Sequence, residues 1–122
     1  MERYQKAFKA LGEMTRLKII KLLSVQSFCV CELAAALDML QPRISQHLKI
    51  LKEAGLVTER KEAYWTYYSV EKEFISELFN EFHKFLEMPL VETPGFQVIS
   101  EAISKLDENE EVKKTKSNLK CN

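Results

Sequence analysis

The stretch QPRISQHLKILKEAG, Gln41 to Gly55, constrains this chain more than any other. Its apolar residues Ile44, Leu48, Leu51 and Ala54 recur at steps of four, three and three, the period of one helical face. Pro42 falls in the first turn, where a missing N–H costs nothing. Gly55 falls just past the end, where a left-handed residue closes the last carbonyls. Away from the apolar stripe lie Gln41, Arg43, Ser45, Gln46 and Lys49, with His47 beside them. Hydrogen-bonding ends with a positive balance suit base edges and phosphates in a major groove, and for His47 either a phosphate or a structural contact. An ordinary amphipathic surface helix has the same pattern, so the neighbouring segments decide.

Upstream, Tyr4–Leu11 carries Ala7, Phe8 and Leu11 at helical spacing and ends at Gly12. The segment Leu17–Leu23 is a nearly continuous apolar helix with Arg16, Lys18 and Lys21 on its wet side. Glu32–Leu37 is rich in helix formers, and the turn Asp38–Leu40 joins it to the first-named helix. Two short helices in tight succession, the second polar outside, predict a helix-turn-helix. After Gly55 the period changes to alternation. Leu56–Lys61 and Tyr64–Val70 are expected strands joined by a turn at Glu62 and Ala63, a hairpin that would form a wing. Trp65, Tyr67 and Tyr68 are expected to pack the wing onto the helices, and Arg60 and Lys61 to reach phosphates or the minor groove.

The helical period returns from Glu71 to Glu87, where Phe74, Ile75, Leu78, Phe79, Phe82, Phe85 and Leu86 form a broad apolar stripe. In so small a domain such a stripe covers the core and also meets a partner. It is expected to pair with its twin, together with the first helix, in a two-fold dimer reading a near-palindromic operator. The expected organisation is residues 1–88 as the DNA-binding and dimerisation domain, 89–106 as an extension with one short helix, and 107–122 as a charged, disordered tail. The fold class is thus mainly α with a small β-hairpin, a homodimeric winged helix-turn-helix.

Charge narrows the partner. The 122 residues carry a formal net charge of zero, so DNA binding must rest on local segregation. Arg43, Lys49, Lys52, Arg60 and Lys61 cluster in the reading segment, whereas Glu71–Glu92 is acid-rich. With no signal-peptide pattern and no apolar run of membrane-spanning length, a cytoplasmic protein without membrane contact is expected. Its three cysteines are too few, and two are too close together, for a disulfide framework.

AFKALGEMTRLKIIKLL, the CVCEL segment, QPRISQHLKILKEAGLV and KEAYWTYYSV together resemble the ArsR/SmtB family of winged helix-turn-helix repressors, over roughly Tyr4–Leu86. The resemblance implies a homodimer on double-stranded operator DNA that is released when a metal or metalloid ion binds. Three positions depart from the family pattern: Leu40 where a serine cap is frequent, Ala63 where a glycine is usual, and Gly12-Glu13-Met14 in place of an Asp-Pro pair.

The ion is a matter of Cys29 and Cys31. Residues two apart diverge by about 200° on a helix but point the same way when extended, so a shared ion needs a non-helical start to the helix. The ion is then expected to strain or unwind that first turn and shift the helix behind it. Soft thiolates without a nearby histidine suit As(III) or Sb(III), and within the family a CVC segment here looks like the arsenic and antimony sensors. The ligands must be thiolates, so binding is expected to release protons and weaken at low pH. Cys121 is either a third ligand folding back from the tail or a free thiol. Without it, two protein sulfurs plus a solvent or small-thiol ligand remain, or a methylated arsenical is preferred. Other soft ions (Cd, Pb, Zn) and a thiol redox switch are the alternatives. His83 and Glu87, four apart, form a possible second metal pair or an ordinary exposed pair. With three glycines, no phosphate-cradling loop and no histidine placed to activate a thiol, enzymatic function is not expected.

Overall fold

The computed structural model describes residues 1–118. The chain divides into two compact units, Met1–His83 and the part from Lys84 onward.

The first unit opens with α1 (Glu2–Leu11) and α2 (Met14–Leu23). Gly12 closes α1 at φ −80°, so its freedom to turn left-handed is not used. Glu13 caps α2: its carboxylate accepts from Thr15 N at 3.1 Å and Arg16 N at 3.0 Å. Next come β1 (Phe28–Cys29), α3 (Val30–Leu37) and α4 (Gln41–Glu53). Asp38 ends α3 in the left-handed region at φ 52°, a conformation its short polar side chain tolerates. Leu40 precedes α4 and, as its side chain dictates, offers no cap hydrogen bond.

The core follows the stripe that opened the sequence. Ile44, Leu48 and Leu51 of α4 are fully buried with Ile19, Leu33, Leu56 and Leu78, while Tyr4, Ala7, Ala10, Leu23, Ala34, Ala54 and Val57 complete the cluster. Truncating Leu48 to alanine there costs about 2–5 kcal/mol. Gly55 stands beyond α4 at φ 81°, and an added Cβ would meet the Phe74 ring at 3.5 Å.

The wing is larger than the hairpin expected. β2 (Val57–Glu62) and β3 (Trp65–Val70) pair as a hairpin, with the turn at Ala63-Tyr64, one residue later than the turn expected at Glu62 and Ala63; β1 adds a third antiparallel strand, in the order β1-β3-β2. A two-residue strand carries no period to detect, and its partner lies some forty residues away. The register sets Phe28 opposite Tyr68 and Cys29 opposite Tyr67. Tyr68 packs against the core as expected, whereas Tyr64 and Trp65 at the tip are exposed. Ala63, in the turn, adopts a left-handed φ of 56°.

α5 (Lys72–Glu87) buries Leu78 and rests Phe74 and Ile75 on the core; Phe79 and Phe82 are exposed, and the Phe82 ring meets Phe8 of α1 edge-on at 5.2 Å.

In the second unit, a 3-10 turn (Leu90–Glu92) precedes α6 (Gln97–Ser104), and the Phe85 and Phe96 rings meet at 5.9 Å. The tail expected to be disordered from residue 107 instead forms α7 (Glu110–Asn118). The reason is local. Asn109 caps the helix by accepting from Val112 N at 3.0 Å, and acidic residues at the start and Lys116 at the end complement the helix dipole.

Candidate nucleic-acid interface and thiol pair

Gln41, Arg43, Ser45, Gln46 and Lys49 all lie on the solvent side of α4 with their side chains exposed. Burial of the Ile44, Leu48 and Leu51 stripe leaves them no other direction. His47 behaves differently. Its side chain is only 15% exposed, and Nδ1 lies 3.2 Å from Arg16 Nη1 and 3.6 Å from a Glu13 carboxylate oxygen. Arg16 in turn donates through Nε to the Ala10 carbonyl at 2.6 Å. Of the two roles weighed for His47, the geometry supplies the structural one: it ties the reading helix to the α1–α2 corner. Its position between the buried and exposed stripes was readable from the sequence, but its partners were not.

Glu13 is held below its ordinary value of 4.5, first by the Thr15 N–H, then by the Arg16 N–H and by His47 and Arg16 themselves.

On the wing, Arg60 and Lys61 are both exposed. Arg60 reaches Glu62 at 3.1 Å and lies over the Tyr67 ring, 5.7 Å from its centroid. Lys52, at the end of α4, donates to Glu59 of β2 at 2.6 Å, fastening the wing to the reading helix. That bond, ahead of a hydrogen bond from Tyr68, holds the Glu59 carboxyl below its usual range.

The two sulfurs are already together. Cys29 Sγ and Cys31 Sγ lie 3.0 Å apart in a contact where either thiol can donate. The required non-helical start exists without any unwinding: Cys29 is extended (φ −89°, ψ 168°), ends β1 and caps α3, while Cys31 is the second residue of the helix. The expectation that an ion must first draw the sulfurs together by melting the first turn is therefore corrected. Cys29 occupies a capping box: its sulfur accepts from the Glu32 N–H, and its own N–H donates to the Glu32 carboxylate at 3.0 Å. Burial pushes the Cys29 thiol up, with the Cys31 hydrogen bond adding to it, while the Glu32 N–H pulls the other way. Cys29 is buried and Cys31 half-buried, so an approaching ion meets Cys31 first.

Among the described residues no group of three or more His, Cys, Asp or Glu side chains is arranged to hold a metal ion. Cys121 lies outside the described residues. His83 and Glu87 both belong to α5. No helix among the described residues is long and apolar enough to cross a membrane.

Comparison with known proteins agrees with this geometry. Residues 13–59, from the α2 cap into β2, match the model of the bacterial regulatory protein, arsR family. Over 82 residues the chain is 48% identical to an HTH-type transcriptional regulator of Methanocaldococcus jannaschii, covering 64% of this chain and 92% of that one. It is 35% identical over 82 residues to the arsenical resistance operon repressor of Bacillus subtilis, covering 66% of this chain and 78% of the relative. Among solved structures, it resembles a homodimeric winged helix-turn-helix DNA-binding domain from Mycobacterium bovis, described as a possible ArsR-family regulator. The TM-score is 0.59 at 30% identity, over 70% of this chain and 80% of that one. The polar face of α4, the three-stranded wing and these relatives make this chain a member of the ArsR family of HTH transcriptional regulators, a family of DNA-binding proteins and not of enzymes.

Proposed function

We propose that this protein is a dimeric transcriptional repressor that binds operator DNA and is released when As(III) or Sb(III) occupies Cys29 and Cys31. The observation that carries the reading is the 3.0 Å separation of the two sulfurs at the start of the helix packed against α4. Two thiolates on a tetrahedral ion with bonds of about 2.3 Å stand roughly 3.8 Å apart. At the same bond length, a pyramidal ion with angles near 90° brings them to roughly 3.3 Å. The pair is closer to the pyramidal spacing, and thiolate softness suits the same ions. The ion's third position belongs to solvent, a small thiol or Cys121. A methylated arsenical needs no third protein ligand.

The dimer reading rests on the exposed Phe79 and Phe82 of α5, beside Phe8 of α1, and on the homodimeric description of the Mycobacterium bovis domain. A two-fold dimer presents two copies of α4 and so favours a near-palindromic operator. On each half-site Gln41, Arg43, Ser45, Gln46 and Lys49 face the groove and Arg60 and Lys61 the flanking backbone. Such a protein works in the compartment that holds the DNA, the cytoplasm of a prokaryotic cell.

Fluorescence anisotropy on a palindromic fragment of the protein's own promoter tests this, in reducing buffer, with arsenite, cadmium and zinc titrated separately. Release by arsenite that is lost in Cys29→Ser and in Cys31→Ser is the expected result. Retention of release in Cys121→Ser assigns two protein sulfurs, and its loss recruits the third. Release by cadmium or zinc alone replaces the inducer. Release by peroxide without any ion, reversed by thiol, favours a redox switch at the same pair. No release by any of these leaves the cysteines structural.

A further inference from the structure

Cys29 belongs to the wing sheet as well as to the thiol pair, and the register carries it across all three strands. Cys29 stands opposite Tyr67, and Tyr67 stands opposite Arg60. Side chains directly opposite in antiparallel strands share a face and touch, and the Arg60 guanidinium indeed lies over the Tyr67 ring. The neighbouring row runs Phe28, Tyr68, Glu59 on the other face, with Phe28 and Tyr68 packed on the core and Glu59 bonded to Lys52. One row is thus anchored to the helices. The other connects a candidate ligand to the wing cation.

We infer that occupancy of the Cys29–Cys31 pair is relayed along the row Cys29–Tyr67–Arg60, so that the inducer disarms the wing as well as displacing the reading helix. This rests on the reading of the pair as the inducer site. An ion that spreads the sulfurs from 3.0 Å to its own spacing of roughly 3.3–3.8 Å pushes Cys29 away from Cys31 and moves the β1 backbone, which is only two residues long. Ser27 Oγ, 2.6 Å from Ser69 Oγ, holds the strand end beside it, so the displacement concentrates at the Cys29–Tyr67 step. Arg60 is shared between the Tyr67 ring and Glu62. When the ring turns away, Glu62 claims the guanidinium and withdraws it from phosphate.

The chain's one tryptophan, Trp65, lies in this wing opposite Glu62 and reports on it without DNA. Arsenite is titrated into the full-length protein while loss of titratable thiols reads binding and Trp65 emission reads the wing. Operator affinity with and without arsenite is then compared in wild type, Arg60→Ala and Lys49→Ala. The expected result is a saturable Trp65 change that tracks thiol loss and is absent in Cys29→Ser. Arsenite should weaken operator binding by about 5- to 150-fold in the wild type and in Lys49→Ala, but by a clearly smaller factor in Arg60→Ala, where the wing contact is already missing and only the displacement of the reading helix remains. Arsenite bound with Trp65 silent, or a full wild-type ratio in Arg60→Ala, overturns the relay and leaves the inducer reading standing. Arsenite that does not bind overturns the inducer reading instead. Phenylarsine oxide, which condenses with two thiols and releases water, then occupies the pair in the Cys121→Ser protein, and the same Trp65 signal decides the relay, a response supporting it and silence overturning it.

Discussion

Cys29 Sγ lies 3.0 Å from Cys31 Sγ although the first residue ends a strand and the second lies inside a helix. The boundary between β1 and α3 resolves the conflict that two cysteines one residue apart would meet within a helix. It also makes Cys29 a member of three structures at once: a thiol pair, a capping box and a sheet.

The proton balance distinguishes the inducers. The raised Cys29 thiol is protonated at neutral pH, so a divalent cation must expel thiol protons, and cadmium affinity should climb as pH rises. Neutral arsenous acid carries hydroxides that leave with those protons as water, so arsenite affinity should stay nearly flat over the same range. This refines the simpler expectation that any ion binds less well in acid. Thiol titrations at about pH 6, 7 and 8 with each ion check the contrast.

Glu13 governs an acid limb of stability. Its carboxyl is held below 4.5 in the folded protein, so its contribution is present above that value and is lost as pH falls through the lowered folded value. Urea unfolding followed against pH should show the wild type losing stability below about pH 4.5 more steeply than Glu13→Gln, which is already weakened at neutral pH. Equal slopes would remove Glu13 from the acid response.

His47→Ala should destabilise the fold by about 1–3 kcal/mol, because Arg16 and Glu13 lose a half-buried partner. Once measured at a temperature where both proteins are folded, its operator affinity should fall by the same factor on every operator variant. A change confined to one base position would return His47 to the groove.

On the proposed reading, Lys49 and Gln46 divide the groove between them. Lys49→Ala should weaken all sequences alike and reduce the salt slope by about one counterion. Gln46→Ala should relax specificity at one base position, at about 1–3 kcal/mol for that base. Anisotropy titrations across salt and across a panel of operator variants separate the two.

Ala63→Gly should stabilise the protein by about 0.5–1 kcal/mol. The alanine pays about 1–2 kcal/mol for its left-handed φ of 56°, against which the glycine loses some chain entropy. Asp38→Gly, at a similar φ of 52°, should gain less because aspartate tolerates that region. Urea denaturation of both variants tests the ranking.

The sequence by itself determined the helices α1 to α5 and the face each turns to the core, though not α7. Ile44, Leu48 and Leu51 had to be buried because a 3.6-residue period leaves them one side of α4, and the same constraint exposes Gln46 and Lys49. It likewise determined the β2–β3 hairpin, whose alternation is local, to within one residue at the turn. Only the tertiary structure decided the rest. β1 exists because Phe28 and Cys29 find β3 across a long loop, a pairing no local pattern records. His47 turns inward because Arg16 and Glu13 are there to meet it. Cys29 faces Cys31 because that strand ends where α3 begins. Periodicity acts within a few turns of chain, whereas a strand partner, an ion-pair corner and a cap are set by segments that meet only after folding.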